Sequence, residues 1–183
     1  FEARTLSLGI DRVATMGLLA IGLTVVLIAG QLDLSGGAIL ALSGIAAIGL
    51  QPALGQVPAA LVGILVGVLA GAINGALVVI LHINSLVATL ASMLFFRAVC
   101  HLITESRPVS GIDPFFGIPL TQPIGGTVSA RVLVFLAVIV LLHLWLTRAV
   151  AGRNMFAVGS NAASASASGI RANVYLFGDR KST

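Results

Sequence analysis

Asp33 is the one acidic residue inside the apolar pattern of a chain that is 58% hydrophobic and 9% charged, and it stands in the stretch GQLDLSGGAILALSG at 30–44. A carboxylate surrounded by lipid or membrane helices is costly, so such a residue is by default a candidate for contact with a solute, a proton or a coupling ion. It has a second reading. Asp33 and Ser35 precede Gly36 and Gly37, where helical continuity is weak, and both can cap a new helix by accepting its unpaired N–H groups. Asn74, Asn84, Ser85 and Thr89 are the polar residues that could line a path beside them, and hydrogen bonding between helices accounts for these four equally well.

Other chemistries find no residues to carry them. His82, His101 and His143 fall on different segments with no acidic pair at ligand spacing, so no metal site is expected. A glycine-rich loop ending in Lys-Ser or Lys-Thr is missing, which argues against nucleotide hydrolysis by this chain. Ser43 sits in ALSGI, which lacks the first glycine of a nucleophile elbow. The expectation is no catalytic residue and no bound cofactor. A net charge of +4 and a pI near 10.7 come without a basic cluster or an aromatic-rich basic face, which argues against nucleic acid as a partner. Cys100, the single cysteine, lies in an apolar run and is expected to pack there.

The elements that must position Asp33 are membrane helices. A mean hydropathy of +1.10 and 9% charged residues, against about 25% in an average soluble domain, identify an all-α polytopic membrane protein. It has room for about five to six spans, and residues 1–183 read as a single transmembrane domain. Residues 13–30 are long enough, at about 1.5 Å per residue, to cross a hydrocarbon core of about 30 Å. Residues 1–12 are expected to lie at the interface ahead of that span. Residues 34–50 form a short second span, closed by a turn at Pro52, Gly55 and Pro58.

Gly63, Gly67, Gly71 and Gly75 recur every four residues along the third span, at 57–81, and share one helix face. Small residues at this spacing let two backbones approach closely, so the stripe is expected to be a packing seam with Asn74 buried beside it. HINS at 82–85 is a very short turn and implies an antiparallel pair with the next span, 86–103, where Arg97 and His101 share a face and snorkel towards the outer interface. Residues 104–130, rich in proline and glycine, read as an external loop. Residues 131–146 return, with Trp145 as an interfacial anchor.

The polar stretch that follows, RAVAGRNMFAVGSNAASASASGIR at 148–171, holds Arg148, Arg153 and Arg171 and no acidic residue. In a membrane protein that bias marks the cytoplasmic side. Counting back from it, 131–147 runs inward, 86–103 outward, 57–81 inward, 34–50 outward and 13–30 inward.

Three stretches resemble the permease subunits of ribose-type ABC importers, a family that includes xylose, arabinose, galactose and autoinducer-2 permeases. Residues 30–44 resemble the family's GGIDLSVGS segment followed by ALxG. Residues 71–97 (GAINGALVVILHINSLVATLASMLFFR) resemble its GAxNG, IxSxIATLxxM and RG series, and residues 152–170 (GRNMFAVGSNAASASASGI) resemble its GRxxYAxGGNxxAARLSGI loop. The stretches occur in the family's order, and the resemblance runs from Leu8 to Tyr175. The departures are Gln31, Leu32 and Gly36 around Asp33, Phe156 for the usual tyrosine, Ser160 for a glycine, and ASASAS at 163–168 for a segment that normally carries acidic residues and Ala-Ala-Arg-Leu. Members of the family are longer, so the resemblance implies a chain lacking a first helix and the C-terminal half.

It further implies a permease for a sugar or similar small polar solute, multi-pass in a bacterial inner membrane and surrounded by its lipid. A second permease subunit, the same or different, would complete the path; a cytoplasmic ABC ATPase would hydrolyse ATP, and a periplasmic binding protein would deliver the solute. Residues 148–173 would be the coupling loop, with Gly152, Arg153, Asn154, Phe156, Gly159 and Asn161 as its working residues. Phe156 would sit in a cleft on the ATPase, Arg153 and Asn154 would bond at its rim, and Gly152 and Gly159 would set the ends of a short helix. Two other classes stay open: an ion-coupled secondary transporter or channel with Asp33 at a broken helix, and a structural or inactive membrane fragment.

Overall fold

The computed structural model describes residues 2–111, 123–124, 128–161 and 164–165. They form α1 (Glu2–Ile28), α2 (Gly36–Gly49), α3 (Gln51–Leu54), α4 (Gln56–Val79) and α5 (Ser85–Thr104), followed by α6 (Ala130–Arg148) and α7 (Val150–Ser160). Between α5 and α6 a two-residue strand, β1 (Pro123–Ile124), pairs antiparallel with β2 (Val128–Ser129). The architecture is all-α and polytopic. Among the described residues four helical stretches are long and apolar enough to cross a membrane: Gly9–Ile28, Gln56–Val79, Ser85–Thr104 and Ala130–Arg148. Their large side chains stay largely uncovered, as with Leu61 and Ile64 on α4, Leu102 on α5 and Leu141 on α6. Helices surrounded by lipid gain little from burying such groups against one another and pack instead through small residues. The core is correspondingly small: Ala38, Ala70 and Phe96, flanked by Ile39, Leu42 and Met93.

Two elements differ from expectation. Residues 2–12 are no separate interfacial piece but continue α1 without a break, because nothing in them interrupts the helix before its apolar stretch begins at Gly9. The second crossing is not a helix over 34–50. α2 has 14 residues, about 21 Å of helix, too short alone for a core of about 30 Å. Residues 31–35 are non-helical and run on along α5, the Leu32 N–H donating to Ser85 Oγ at 3.3 Å and the Leu34 N–H to Thr89 Oγ1 at 3.2 Å. At about 3.3 Å per residue they add about 16 Å, so 31–49 together make the crossing. Irregular backbone at membrane depth is tolerated where protein satisfies its polar groups, and the two α5 hydroxyls do so here.

Contacts fix the relative directions. Ala47 lies against Gly63, Ser43 against Gly67 and Ser35 against Asn74, so α2 and α4 are antiparallel. The Leu32–Ser85 and Leu34–Thr89 bonds make the 31–49 segment and α5 parallel. Ser129 Oγ donates to Asp11, Arg131 donates to Thr15 Oγ1 at 3.5 Å, and the Phe135 ring lies on Gly17, so α1 and α6 are parallel too. The last turn of α1 and the residue after it (Val25, Val26, Ala29) line one cavity with the last turns of α4 (Asn74, Gly75, Val78), so α1, α4 and α6 run one way and the 31–49 segment and α5 the other, the alternation that the crossing count needs. Most of the expected loop at 104–130 and the second half of the 148–171 stretch, including all but Ser164 and Ala165 of ASASAS, lie outside the described residues.

Candidate functional site

The polar residues singled out from the sequence meet at the end of the bundle where α1 and α4 finish and α5 begins. α1 stops at a glycine in the left-handed region, Gly30 at φ 75°. The Gly30 N–H reaches Leu27 O at 2.9 Å and the Gln31 N–H reaches Val26 O at 3.1 Å, the paired bonds of a Schellman ending. The chain leaves that turn directly into the 31–35 segment.

Asp33 Oδ1 accepts two bonds from Ser35, from its N–H at 2.7 Å and from its hydroxyl at 2.6 Å. Ser35 is fully buried, and its Oγ accepts in turn from Asn74 Nδ2 at 2.6 Å. The result is a relay from Asn74 through Ser35 to Asp33 that ties the 31–35 segment to α4. The oxygen of that amide, Asn74 Oδ1, is buried without a hydrogen-bond partner. From α5, the buried Thr89 hydroxyl donates to Ser85 O at 2.8 Å while accepting from Leu34, which holds the opposite side of the segment.

The capping expectation changes in detail. Ser35 is the residue before α2, but its backbone is already helical (φ −84°, ψ −13°) and its side chain makes no cap bond. Its hydroxyl turns to Asp33 and Asn74, and Asp33 accepts from Ser35 itself rather than from the first free N–H groups of α2. Asn84 is the residue that caps, its Oδ1 accepting from the Leu86 N–H at 3.0 Å at the start of α5.

Asp33, Asn74, Ser85 and Thr89 line one cavity of about 250 Å³, joined by Gln31. Ser35 stands behind this wall and Asn84 outside it. Val25, Val26, Ala29, Leu32, Val78 and Met155 supply apolar lining. The glycine stripe divides here. A Cβ on Gly63 would come within 2.7 Å of Ala47 Cβ and one on Gly67 within 2.8 Å of Ser43 Oγ, so these two seat α4 on α2. Gly71 and Gly75 have no neighbour within 4 Å of such a carbon and line the cavity instead. Periodicity puts all four near one face, but a four-residue step on a helix of about 3.6 residues per turn drifts by about 40°, so by Gly71 and Gly75 the stripe has turned off α2, whose contacts pass to Ala70 and Asn74.

At the same end lies α7. Arg153 and Phe156 are exposed, and Asn154 is half-buried. Arg153 folds back, donating from Nη1 to Arg148 O at 2.8 Å, where a cation suits the carbonyl end of α6. Gly152 and Gly159 do not set the helix ends: they are inside α7, and Asn161 follows its last residue, accepting through Oδ1 from the Ser164 N–H at 3.0 Å. The two glycines are contact points. A Cβ on Gly152 would meet Trp145 O and Leu146 Cα, each at 2.5 Å, and a Cβ on Gly159 would fall on the carbonyl oxygen of Ile28. α7 is thus pressed backbone to backbone against the ends of α6 and α1, and Met155 on it closes part of the cavity wall. No residue pattern marks Met155 or the end of α1 as part of this wall.

Residues 6–177 match the family described as "Branched-chain amino acid transport system / permease component". The chain is 38% identical over 170 residues to the ribose import permease protein RbsC of Bacillus subtilis (strain 168), covering 87% of this chain and 50% of that protein. It is 36% identical over 166 residues to the inner membrane ABC transporter permease protein YjfF of Escherichia coli (strain K12), covering 86% and 49%. To the galactofuranose transporter permease protein YtfT of the same organism it is 36% identical over 174 residues, covering 92% and 49%. The chain spans about half the length of these relatives. No solved structure matches it.

Proposed function

Because the chain belongs to the branched-chain amino acid transport system / permease component family, we propose that it is part of the membrane-spanning permease subunit of an ATP-driven importer, passing a sugar or similar small polar solute through a bacterial inner membrane. The relatives named for ribose and galactofuranose support the solute class, and the one named as an inner membrane protein supports the location. This family is one of transport permease components, not of enzymes, so ATP hydrolysis falls to a separate cytoplasmic ATPase. A second permease subunit completes the path, a periplasmic binding protein delivers the solute, and lipid covers the exposed apolar faces of α4, α5 and α6.

The observation that carries the reading beyond family membership is α7. It is a short helix held backbone to backbone on two spanning helices, it presents an aromatic side chain outward, 48% exposed at Phe156, and it touches the polar cavity through Met155. An exposed aromatic on a rigid support is a strong anchor for a protein partner. If ATP binding favours one seating of that partner, the helix bundle feels the difference, and two packings of the permease are populated in turn.

Phe156→Asp tests this. The variant should reach the membrane normally, since Phe156 lies on the exposed face of α7 and outside the buried core, yet recover at least about tenfold less ATPase on co-purification, the loss expected of one aromatic hot spot. Undiminished ATPase recovery would refute the assignment of α7. Uptake that follows an ion gradient and ignores ATP would refute the importer class.

A further inference from the structure

Nothing described in the bundle answers the charge of Arg97. The residue stands about 10 Å of helix inside the C-terminal end of α5, in a stretch apolar enough to cross a membrane, and it is exposed. Among the described residues it makes no hydrogen bond or ion pair. A cation at such depth is costly, so its position calls for a water-filled cavity or a partner of opposite charge. Arg97 lines a groove of about 630 Å³ between α2 and α5, at the end of the bundle away from α7, together with His101 and Arg107. Those two already have neighbours. His101 Nδ1 lies 3.3 Å from Ser106 Oγ, and Arg107 Nη2 lies 3.7 Å from Glu105 Oε2 in an exposed and therefore weak pair. No carboxylate is among the described residues on the groove wall. The facing wall is α2, where Gly37, Ala41 and Gly44 leave room: neither glycine has an atom within 4 Å of the place a Cβ would take.

We propose that this groove binds an anionic phospholipid of the leaflet away from α7, with its phosphodiester on Arg97 and His101 and one acyl chain along α2. The site goes beyond the permease reading and needs only that α5 crosses a membrane. The long arginine arm can extend from its depth in α5 towards the interface, where the phosphates of lipids already stand. A carboxylate on a neighbouring helix would also satisfy Arg97, but it would first have to be carried into the apolar layer at a cost of its own. Because α2 and α5 are parallel, the α2 wall from Gly44 back to Gly37 leads away from that interface, and its small residues leave a channel for the chain. Charge then selects among lipids. Basic groups at successive levels of one groove, with no acid among its described lining, favour a headgroup of net negative charge over one that ends in choline.

Native mass spectrometry of the detergent-purified full chain tests the site by titration with three probes. These are phosphatidylglycerol, phosphatidylcholine with the same acyl chains, and glycerol phosphate, which carries the phosphate without the chains. The first phosphatidylglycerol should bind about tenfold tighter than the first phosphatidylcholine, and Arg97→Gln should remove that preference, the factor expected of one charge-assisted bond. Arg12→Gln removes an exposed arginine of α1 at the same end of the bundle and should change nothing. Gly44→Leu leaves every cation in place but obstructs the groove, so it should also weaken phosphatidylglycerol by about tenfold, and it decides the matter if Arg97→Gln fails to fold. Equal affinity for the two lipids, equal losses in Arg97→Gln and Arg12→Gln, or full binding in Gly44→Leu would each overturn the proposal. So would displacement of the lipid by glycerol phosphate at comparable concentration, which would make this a site for free phosphates. A dimer that forms without lipid and is lost in Arg97→Gln would overturn it in favour of a protein carboxylate.

Discussion

Alanine placed at successive glycines of the α4 stripe should have different effects at its two ends. At Gly63 the new Cβ would come within 2.7 Å of Ala47 Cβ and 2.8 Å of Ser43 O. Carbon pairs rest at about 3.5–4.0 Å, so α2 and α4 would have to part by about 1 Å along that seam. Overpacking of this kind costs about 1–3 kcal/mol. At Gly71 the same Cβ meets nothing within 4 Å. Both variants share the gain in helix propensity over glycine, about 1 kcal/mol, so their difference isolates the packing cost. Gly71→Ala should equal or exceed the wild type in stability, with Gly63→Ala about 1–3 kcal/mol below Gly71→Ala. The assay is reversible unfolding of the purified protein in mixed micelles with rising dodecyl sulfate, read from helical circular dichroism. Equal stabilities for the two variants would refute the division of the stripe into a seam and a cavity wall.

Two further outcomes follow from the same contacts. Thr89→Val keeps the shape of a residue that is 4% exposed but strips the Leu34 N–H of its acceptor, so about 1–3 kcal/mol should be lost in the same unfolding assay, and Thr89→Ser should recover most of it. Gly159→Val places side-chain atoms on the Ile28 carbonyl and should lift α7 from α1, speeding tryptic cleavage after the exposed Arg153 by about tenfold; an unchanged cleavage rate would show that the contact does not hold the helix.

Local rules made some elements legible and tertiary contacts hid the others. The end of the first span could be read at Gly30, because a glycine after an apolar run is what a left-handed helix ending requires. The start of α2 was misplaced by two residues for a physical reason: Asp33 and Ser35 have the chemistry of caps, but the backbone they belong to is held by Ser85 and Thr89, more than fifty positions along the chain. No local rule sees that. The membership of the polar site was largely legible from residue type, since Asp33, Asn74, Ser85 and Thr89 are polar side chains in apolar runs. Its arrangement was not, because Ser35 and Asn84 look equally polar in sequence and turn out to be a buried bridge and a helix cap.

The link between the two parts of the site lies in two adjacent residues. Neighbours on a helix diverge by about 100°, so α7 can turn Phe156 outward while Met155 lines the cavity. Gly152 and Gly159 make the connection stiff: with backbone against backbone at both contacts, no flexible side chain lies between α7 and the ends of α6 and α1. The end of α1 continues at once into the 31–35 segment that carries Asp33. A partner that seats Phe156 and shifts α7 must therefore move the Met155 wall of the cavity, the anchor of its Asp33 segment, or both. In the permease reading, that would carry an event at the outer face of α7 to the polar cavity without any residue belonging to both.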